Sequence, residues 1–278
     1  MSSATSLSSV IITVAAVTDR GLHRQANEDS YLAESPVFLV ADGMGGYEAG
    51  DKASAAVVDA FRSIVAGPDF PTLGDVRDAL IAADAGVAEV ADQTDRGAGS
   101  TVSGVVLVEH EGIPHWLIFN VGDSRVYRHD GNELEQLTVD HSLGQELIDS
   151  GAMQRSDLNS YAERNVITRA IGAADSTADS WLLPVTNGER MMVCSDGLSS
   201  EVADEAIRAI MTMSGRPQSV ATALVQRAKH NGGHDNITVI VLDVLSGGGS
   251  GSSDFTTGAA RLPEAVFDTG INDTTIRV

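Results

Sequence analysis

The sequence has little cysteine and few basic residues. Cys194 is the single cysteine in 278 residues, which excludes an internal disulfide framework and a cysteine-based zinc site. Lysine and arginine number 18 against 39 aspartates and glutamates, and the net charge of −21 argues against binding to nucleic acid. An anionic substrate would therefore need local positive charge, and bound metal ions are the obvious source.

Long apolar segments are also absent. No run approaches the roughly 20 apolar residues that a membrane helix requires. The first residues, Met1 to Ser9, are polar and have neither the basic nor the apolar region of a secretory signal. We expect a monomeric protein of the reducing cytoplasm that contacts neither membrane nor nucleic acid.

Apolar periodicity predicts a mixed α and β domain in which strands outnumber helices. Strands are predicted at residues 10–17, 37–41, 101–109, 114–121, 124–128, 133–138, 165–171, 190–194 and 236–245. Helices are predicted at residues 53–64, 73–90, 143–150, 203–213 and 218–230. Short turns rich in glycine, aspartate and asparagine join the central strands, which indicates hairpins and antiparallel pairing.

Composition divides the chain into three parts. Residues 1–245 carry the periodic pattern and are predicted to form one catalytic domain. Residues 246–253 contain only glycine and serine, as in a flexible linker. Residues 254–278 lack both periodicity and apolar mass, and we predict a disordered tail there.

Asp42 is the centre of the predicted chemistry. It follows the uncharged run Val37–Ala41 and precedes Gly43, within the sequence Val-Ala-Asp-Gly-Met-Gly-Gly. Glycine allows close approach of the backbone to a ligand, and carboxylate and carbonyl oxygens suit hard cations. A plain strand-to-helix turn would also need glycine, so both interpretations stay open for this motif alone.

Three other aspartates have the same setting, each beside a glycine at the predicted end of a strand. They are Asp123, Asp196 and Asp235. Four such placements indicate strand ends that converge on one face. Buried like charges raise each other's pKa, so divalent cations would have to compensate them. Any one of these residues could still be only a turn residue.

Seven motifs occur in a recognisable order. They are Arg24-x-x-x-Glu28-Asp29, Val40-Ala41-Asp42-Gly43-Met44-Gly45-Gly46, Gly99-Ser100-Thr101, Asn120-Val121-Gly122-Asp123-Ser124-Arg125, Leu137-Thr138-x-Asp140-His141-Ser142, Ser195-Asp196-Gly197-Leu198 and Asp235-Asn236-Ile237-Thr238. In these motifs the chain resembles the metal-dependent serine/threonine protein phosphatases of type 2C, in their bacterial form. The resemblance covers about residues 8–245 and excludes the tail.

This resemblance implies an α+β fold, an α-β-β-α sandwich in which two central antiparallel sheets are flanked by antiparallel helix pairs. It also implies a site at one end of the sandwich for two Mn²⁺ or Mg²⁺ ions. By position, Asp42 would bridge both ions, and Asp196 and Asp235 would complete the first. Gly43 would bind the second ion through its carbonyl oxygen.

The outer parts of the site are implied in the same way. Glu28 and Asp29 would act on the ions largely through ordered waters. Many bacterial relatives carry a third ion, which Asp123 would hold here together with Asp196. Residues 142–165, from Ser142 to Asn165, would form a mobile flap beside the cleft.

The implied reaction is hydrolysis of phosphoserine and phosphothreonine in proteins. A hydroxide that bridges the two ions would attack phosphorus in line, and Arg24 would clamp the phosphate. No covalent intermediate is needed, so we interpret Cys194 as a buried strand residue. The expected partners are phosphorylated proteins, including a bacterial serine/threonine kinase whose action the enzyme would reverse.

One position departs from part of the family. Several members have histidine two residues after the bridging aspartate as a proposed proton donor, whereas this chain has Met44. His23, His141 and His234 lie near the motifs, and we interpret each as a local hydrogen-bonding or surface residue. A metal-bound water is the better candidate for the acid.

Two alternative functions predict different sequence features. A catalytically inactive phosphoprotein-binding member would have lost a metal aspartate, and none is lost. A stress or sporulation phosphatase with one dedicated target would usually lack the arginine found at Arg24, so its presence favours broader action on kinase products.

Overall fold

The computed structural model describes residues 10–45, 49–67, 70–131, 133–213, 215–249 and 260–261. The strands are β1 Ile11–Asp19, β2 Asp29–Glu34, β3 Val37–Gly45, β4 Ala98–Ser100, β5 Val102–His110, β6 Ile113–Val121, β7 Arg125–Asp130, β8 Glu133–Gln136, β9 Asp179–Pro184, β10 Arg190–Cys194, β11 Ile237–Ser246 and β12 Ala260–Arg261. The helices are α1 Ala49–Val65, α2 Leu73–Ala91, α3 Leu143–Asp149, α4 Asp196–Ser199, α5 Asp204–Thr212 and α6 Pro217–Asn231, with a 3₁₀ helix at Arg155–Ser160. None of the helices in these ranges is long and apolar enough to cross a membrane.

The strands form two antiparallel sheets. Sheet one has the order β1-β11-β10-β7-β8, and sheet two has the order β12-β9-β6-β5-β3-β2, with β4 paired to β3. Every pairing between these strands is antiparallel. The expected α+β arrangement of two central antiparallel sheets is confirmed.

Three apolar layers hold the sandwich together. The layer between the two sheets contains Phe38 and Trp116 of sheet two and Val193 and Ile240 of sheet one. A second layer joins α1 and α2 to the outer face of sheet two, and a third joins α5 and α6 to sheet one. Full burial of each large apolar side chain contributes about 1.5–3 kcal/mol, so these layers fix how the strand ends meet.

β3 continues further than its apolar run predicts. It passes through Asp42 and ends at Gly45, because Gly43 to Gly45 pair with the short strand β4. A run of glycines carries no strand signal, so only the pairing partner reveals this extension. Asp42 is therefore held within a ladder rather than at the start of a turn.

The predicted strand at residues 165–171 is wrong. This segment makes only isolated bridges, from Ile167 to Ser142 and from Ile171 to Ser100. Ala170 and Ile171 are buried, but Val166 is half-exposed, and the segment has no neighbouring strand to pair with along its length. Conversely, β2 and β9 were not predicted, because each is six residues long and begins with an aspartate.

The predicted linker is partly docked. β11 extends to Ser246, and Gly249 forms a parallel bridge with Thr186. The Gly249 N–H donates to the Val185 carbonyl at 2.8 Å, and Asn187 exchanges side-chain hydrogen bonds with Gly248. Hydrogen bonds thus hold Gly248 and Gly249 against residues 185–187, while the division of the chain into domain, linker and tail stays a prediction.

Two residues of the predicted tail pair with a strand. Ala260 and Arg261 pair with Leu182 and Trp181 of β9 and so extend the edge of sheet two. An open strand edge offers unpaired N–H and carbonyl groups, which such a pairing satisfies without any apolar pattern. The remaining linker and tail positions, 250–259 and 262–278, lie outside the described residues.

The docked linker gives the first prediction. A chain that ends at Leu245 loses the hydrogen bonds to residues 185–187, and we expect its free energy of unfolding to fall by about 1–2 kcal/mol. A chain that ends at Gly249 keeps these bonds and should be more stable than the shorter chain, since it loses only the pairing of Ala260 and Arg261 with β9. Urea denaturation of the three proteins checks this. Coincident transitions for the two truncated chains would show that the docked segment contributes nothing.

Candidate metal centre

Five carboxylates meet at one end of the sandwich. Asp42 on β3 lies opposite Asp29 on β2 in the strand register. Asp196 begins α4 directly after β10, Asp235 precedes β11, and Asp123 lies between β6 and β7. Burial raises the pKa of the Asp42 carboxyl, and the charges of the other four all add to the rise. The expected convergence of these strand ends is thus confirmed.

The backbone around Asp42 is fixed by hydrogen bonds on both sides. Its N–H donates to the Thr101 hydroxyl at 3.1 Å, and its carbonyl accepts from the Thr101 N–H at 2.9 Å. The Ser100 hydroxyl donates to the same carbonyl at 3.1 Å. These contacts explain the Gly99-Ser100-Thr101 motif, which orients Asp42 from the neighbouring strand.

Two glycines beside the acidic residues are required by close packing. A Cβ atom on Gly43 would lie 1.9 Å from the Gly50 carbonyl oxygen and 2.8 Å from that of Glu28. On Gly197, it would lie 1.9 Å from the Asn236 carbonyl oxygen. Contacts this short exclude any side chain. The glycines therefore bring backbone carbonyls next to Asp42 and Asp196.

Among the residues that the structure describes, two buried carboxylate oxygens have no hydrogen-bond partner, namely Oδ1 of Asp29 and Oδ1 of Asp196. The other oxygen of Asp29 is well satisfied, because it accepts from Thr238 Oγ1 at 2.6 Å and Ser195 Oγ at 2.8 Å. A buried, unsatisfied acceptor costs about 1–3 kcal/mol, and more when it is charged. A cation between these oxygens is the partner that such an arrangement fits.

The electrostatics of the cluster support the same conclusion. Burial raises the pKa of Asp29 to about 7, against the effect of its two hydroxyl donors, and the charges of Asp196 and Asp235 add to the rise. Burial and the charge of Asp235 raise the pKa of Asp196 to about 6. Burial, then Asp29 and Asp196, hold the pKa of Asp42 well above its usual value. The carboxyls can all ionise together only if cations compensate them.

Asp123 lies on the flap side of the cluster. Burial, followed by the charges of Asp196 and Asp140, holds its pKa well above the usual value. The adjacent Arg125 lowers this pKa only weakly, because its guanidinium is bound at both ends to Asp140, with distances of 2.9 and 2.6 Å. Asp123 is thus a second place where positive charge is required.

Arg24 lies at the outer rim and is half-exposed. Its Nη2 donates to Asp235 Oδ2 at 2.6 Å. Partial burial lowers the pKa of Arg24, but this hydrogen bond and the charge of Asp235 outweigh burial and raise it. The sequence did not predict this pair. An arginine in this position has to exchange Asp235 for a phosphate if it is to act as a clamp.

Glu28 contributes mainly through its backbone. Its carbonyl accepts from the Gly43 N–H at 3.1 Å and from the Ser54 hydroxyl at 2.6 Å. Burial raises the pKa of its carboxyl, which Arg24 opposes and Asp51 reinforces. The carboxyl lies against Gly50, at the inner side of the cluster.

Asn236 has a role that its motif alone did not predict. Its Oδ1 accepts from the Glu28 N–H at 2.8 Å, and its Nδ2 donates to the Arg20 and Ala26 carbonyls, both at 2.9 Å. A single asparagine therefore ties the loop before β2 to the start of β11. Its position directly after Asp235 was the available signal.

The histidines near the motifs have local partners. His234 Nδ1 lies 2.6 Å from Glu201 Oε1, and the His234 ring stacks on His23 at a centroid distance of 4.7 Å. His141 is buried and contacts Gly122 and Asp179. The expected local roles of His141 and His234 are confirmed. Met44 packs near Gly99 and has no proton to donate.

The flap borders a cavity of about 410 Å³ next to the cluster. Asp123 and Asp196 line its inner end, and Arg155 and Arg164 of the flap line it from the other side. The cavity is wide enough for a phosphorylated side chain and has charges of both signs on its walls. The predicted flap thus lies beside the predicted site.

The acidic side chains do not form a closed cage. Within the parts of the chain that the structure describes, no three His, Cys, Asp or Glu side chains converge on a single point. Mg²⁺ and Mn²⁺ retain several waters and bind through one or two carboxylates, so an open cluster fits them. A site for zinc, which takes three or four close protein ligands, does not fit these residues.

Comparison with known proteins identifies the family. The sequence profile described as "Protein phosphatase 2C" matches residues 20–231. The chain belongs to this family. The match includes the segments around Asp42, Asp123 and Asp196 but ends before Asp235.

Individual relatives agree with this assignment. The chain is 34% identical over 243 residues to serine/threonine protein phosphatase PstP of Mycobacterium tuberculosis, covering 85% of this chain and 46% of that protein. It therefore spans about half the length of this relative. It is 31% identical to serine/threonine phosphatase stp of Listeria welshimeri, covering 81% of this chain and 93% of that protein.

A solved structure matches the fold. The crystal structure of the catalytic domain of PstP in complex with two manganese ions has a TM-score of 0.77 and 31% identity. The match covers 86% of this chain and all of that one. The sandwich and its site end thus have a close counterpart in a solved structure with bound manganese.

The raised pKa values give a prediction for stability. Asp29 and Asp196 have pKa values of about 7 and about 6, above the usual 3.8, so their protonated forms favour the cation-free fold. The stabilisation of the cation-free fold by these protonated carboxyls is complete below about pH 4, and it is lost as the pH rises through 6 to 7. In excess chelator, the melting temperature should therefore fall between pH 5 and pH 8.

Added Mn²⁺ should raise the melting temperature much more at pH 8 than at pH 5, because cations bind the ionised carboxylates. Thermal unfolding with and without Mn²⁺ measures this difference. Asp29→Asn should weaken the pH dependence, whereas Asp92→Asn at the exposed end of α2 serves as the control. Equal shifts at both pH values in the parent protein would contradict the cation site.

Proposed function

We propose that this chain is a metal-dependent phosphatase that hydrolyses phosphoserine and phosphothreonine in proteins. The observation that carries the proposal is the cluster of buried carboxylates, in which Oδ1 of Asp29 and Oδ1 of Asp196 lack any partner. Membership of the type 2C family and the two manganese ions in the PstP structure support the same activity.

The residues of the cluster divide between the ions as follows in this proposal. Asp42 would contribute to two Mn²⁺ or Mg²⁺ ions, with Asp196 and Asp235 on the side of the first and the Gly43 carbonyl on the side of the second, and waters would fill the remaining positions. Asp123, with Asp196, would hold a third. The bound ions would supply a water of lowered pKa as the nucleophile and neutralise charge on the phosphoryl group.

The chain itself orients these groups. Thr101 and Ser100 fix the Asp42 backbone, so its carboxylate needs no rearrangement when the substrate binds. Ser195 and Thr238 hold one oxygen of Asp29 and direct the other inward, where it orients water. The Glu28 carboxylate, which lies against Gly50, likewise orients water at the cluster.

Arg24 is the proposed phosphate clamp. Its bond to Asp235 keeps the guanidinium at the rim, and the incoming phosphate competes for it. A bidentate arginine–phosphate pair is stronger than a single ion pair, which favours this exchange. Because Met44 has no proton to give, the leaving group takes its proton from water rather than from a side chain at this position.

The wider role is proposed from the relatives. We infer that the enzyme acts in signal transduction and reverses a bacterial serine/threonine kinase, which is one of its phosphorylated partners. A cytoplasmic location, a monomeric state and a catalytic domain that ends at residue 245 stay predictions of the sequence. A complete acidic cluster argues against an inactive phosphoprotein-binding role.

The metal ligands are tested by removal of single charges. Asp42→Asn and Asp196→Asn keep side-chain size but lose a charge that the ions need, so we expect turnover to fall about 100-fold or more. Phosphate release from phosphothreonine peptides, with Mn²⁺ and with chelator, measures the effect. Asp92→Asn is the control. Normal turnover in both site variants, or full activity in chelator, would refute the proposal.

Arg24 gives a separate prediction. Arg24→Ala should weaken phosphopeptide binding by about 1–3 kcal/mol, which is measured as a higher KM. Arg24→Lys should recover only part of the lost binding energy. Mn²⁺ affinity, measured by calorimetry, should stay the same or increase, since Asp235 loses its competing partner. A large loss of Mn²⁺ affinity in Arg24→Ala would instead assign this arginine a structural role.

A further inference from the structure

Asp179 lies at the root of the flap and contacts both of its ends. Its Oδ2 is 3.3 Å from His141 Nε2, on the segment that leads into the flap. Its Oδ1 accepts from Arg169 Nη1 at 3.3 Å, on the segment that leaves the flap. Asp179 is itself the first residue of β9 and pairs with Asn120 of β6. One carboxylate thus joins the two ends of the flap to sheet two.

His141 extends this connection to the metal end. The Gly122 N–H donates to His141 Nδ1 at 3.1 Å, so this ring nitrogen carries no proton. A single ring proton therefore belongs to Nε2, which lies 3.3 Å from Asp179 Oδ2 and makes no well-aligned hydrogen bond within the described residues. Gly122 directly precedes Asp123, and its φ of +107° leaves it no tolerance for a side chain.

We propose that His141 and Asp179 are positioning residues that couple the flap to the Gly122–Asp123 turn. Through them, the position of the flap sets how well Asp123 can hold a divalent cation. The proposal rests on the proposed function only for the role of Asp123 as a ligand. The coupling itself is a property of the protein without metal.

The burial of these residues supports a positioning role. His141 and Asp179 are each 5% exposed, whereas Arg169, which pairs with Asp179, is partly exposed to solvent. Arg169 compensates the charge of the buried Asp179 carboxylate, and Nδ1 of His141 is held towards the Gly122 N–H. A surface pair of this kind would contribute little, but a buried one fixes the ring in one orientation.

Backbone hydrogen bonds already close the flap root. The His141 N–H donates to the Gly122 carbonyl at 2.9 Å, and the His141 carbonyl accepts from the Thr168 N–H at 2.9 Å. Ser142 and Ile167 form a bridge beside them. The side chains are therefore not needed to close the root. Their additional effect is to connect the Gly122 N–H with both ends of the flap.

Two substitutions separate the two contacts of His141. His141→Asn places an acceptor near the position of Nδ1 but loses the contact with Asp179. His141→Gln places a donor near the position of Nε2 but loses the acceptor for Gly122. Asp179→Asn removes the charge that joins His141 and Arg169. His129→Gln is the matched control, since His129 is also buried but contacts Thr212 on α5.

The main measurement is hydrogen–deuterium exchange of the full chain without metal. Asp179→Asn and His141→Gln should speed exchange by several-fold both in the turn at 121–124 and in the flap root at 166–169. His141→Asn should keep the turn protected and loosen the flap root. His129→Gln should change neither. Nitrogen shifts of the His141 ring should show a proton on Nε2 alone.

A second measurement is the Mn²⁺ concentration at half-maximal rate. His141→Gln should raise it about 5-fold or more, whereas His141→Asn should stay close to the parent protein. Exchange that changes only in the flap root of all three variants would overturn the coupling. If His141→Gln does not fold, the exchange rates of Asp179→Asn and His141→Asn still test whether the flap root and the turn at 121–124 are coupled. Absence of activity in the parent protein would refute the proposed function, while the exchange data would still judge the coupling.

Discussion

Repulsion among buried carboxylates is the constraint on which this structure depends. Three apolar layers force the strand ends together and so bring Asp29, Asp42 and Asp196 out of water next to each other. Apolar burial is worth far more in total than this repulsion, so the fold tolerates it. The raised pKa values and the two unpartnered oxygens are the consequences of this unfavourable electrostatic energy. A divalent cation bound as we propose would relieve it and would link metal binding to the protein's stability.

Much of the fold could be predicted because long apolar patterns determine it. The helices α1, α2 and α6 and the strands β5, β6 and β11 carry clear periodicity. The prediction of short elements failed where pairing partners rather than composition determine whether a strand forms. Asp179–Pro184 forms a strand because neighbouring strands pair with it, and residues 165–171 lack such neighbours. The docking of Gly248 and Gly249 depends on backbone hydrogen bonds, which leave no mark in the sequence.

The candidate site shows the same division. The occurrence of aspartate near glycine at predicted strand ends was sufficient to predict that Asp42, Asp123, Asp196 and Asp235 lie close together. Contacts between distant side chains were not predictable, because pairs such as Arg24–Asp235 depend on three-dimensional placement alone. These unpredicted contacts lie at the rim and the flap root, which border the acidic cluster.

The close packing at Gly43 and Gly197 has a consequence for how this protein can change over generations. At either position a Cβ atom would lie 1.9 Å from a carbonyl oxygen, which leaves no space even for alanine, so a mutation there has to displace the backbone next to Asp42 or Asp196. Exposed side chains of the flap and the rim meet no such obstacle. The outer surface of the scaffold can therefore change more freely than the backbone that carries its acidic cluster.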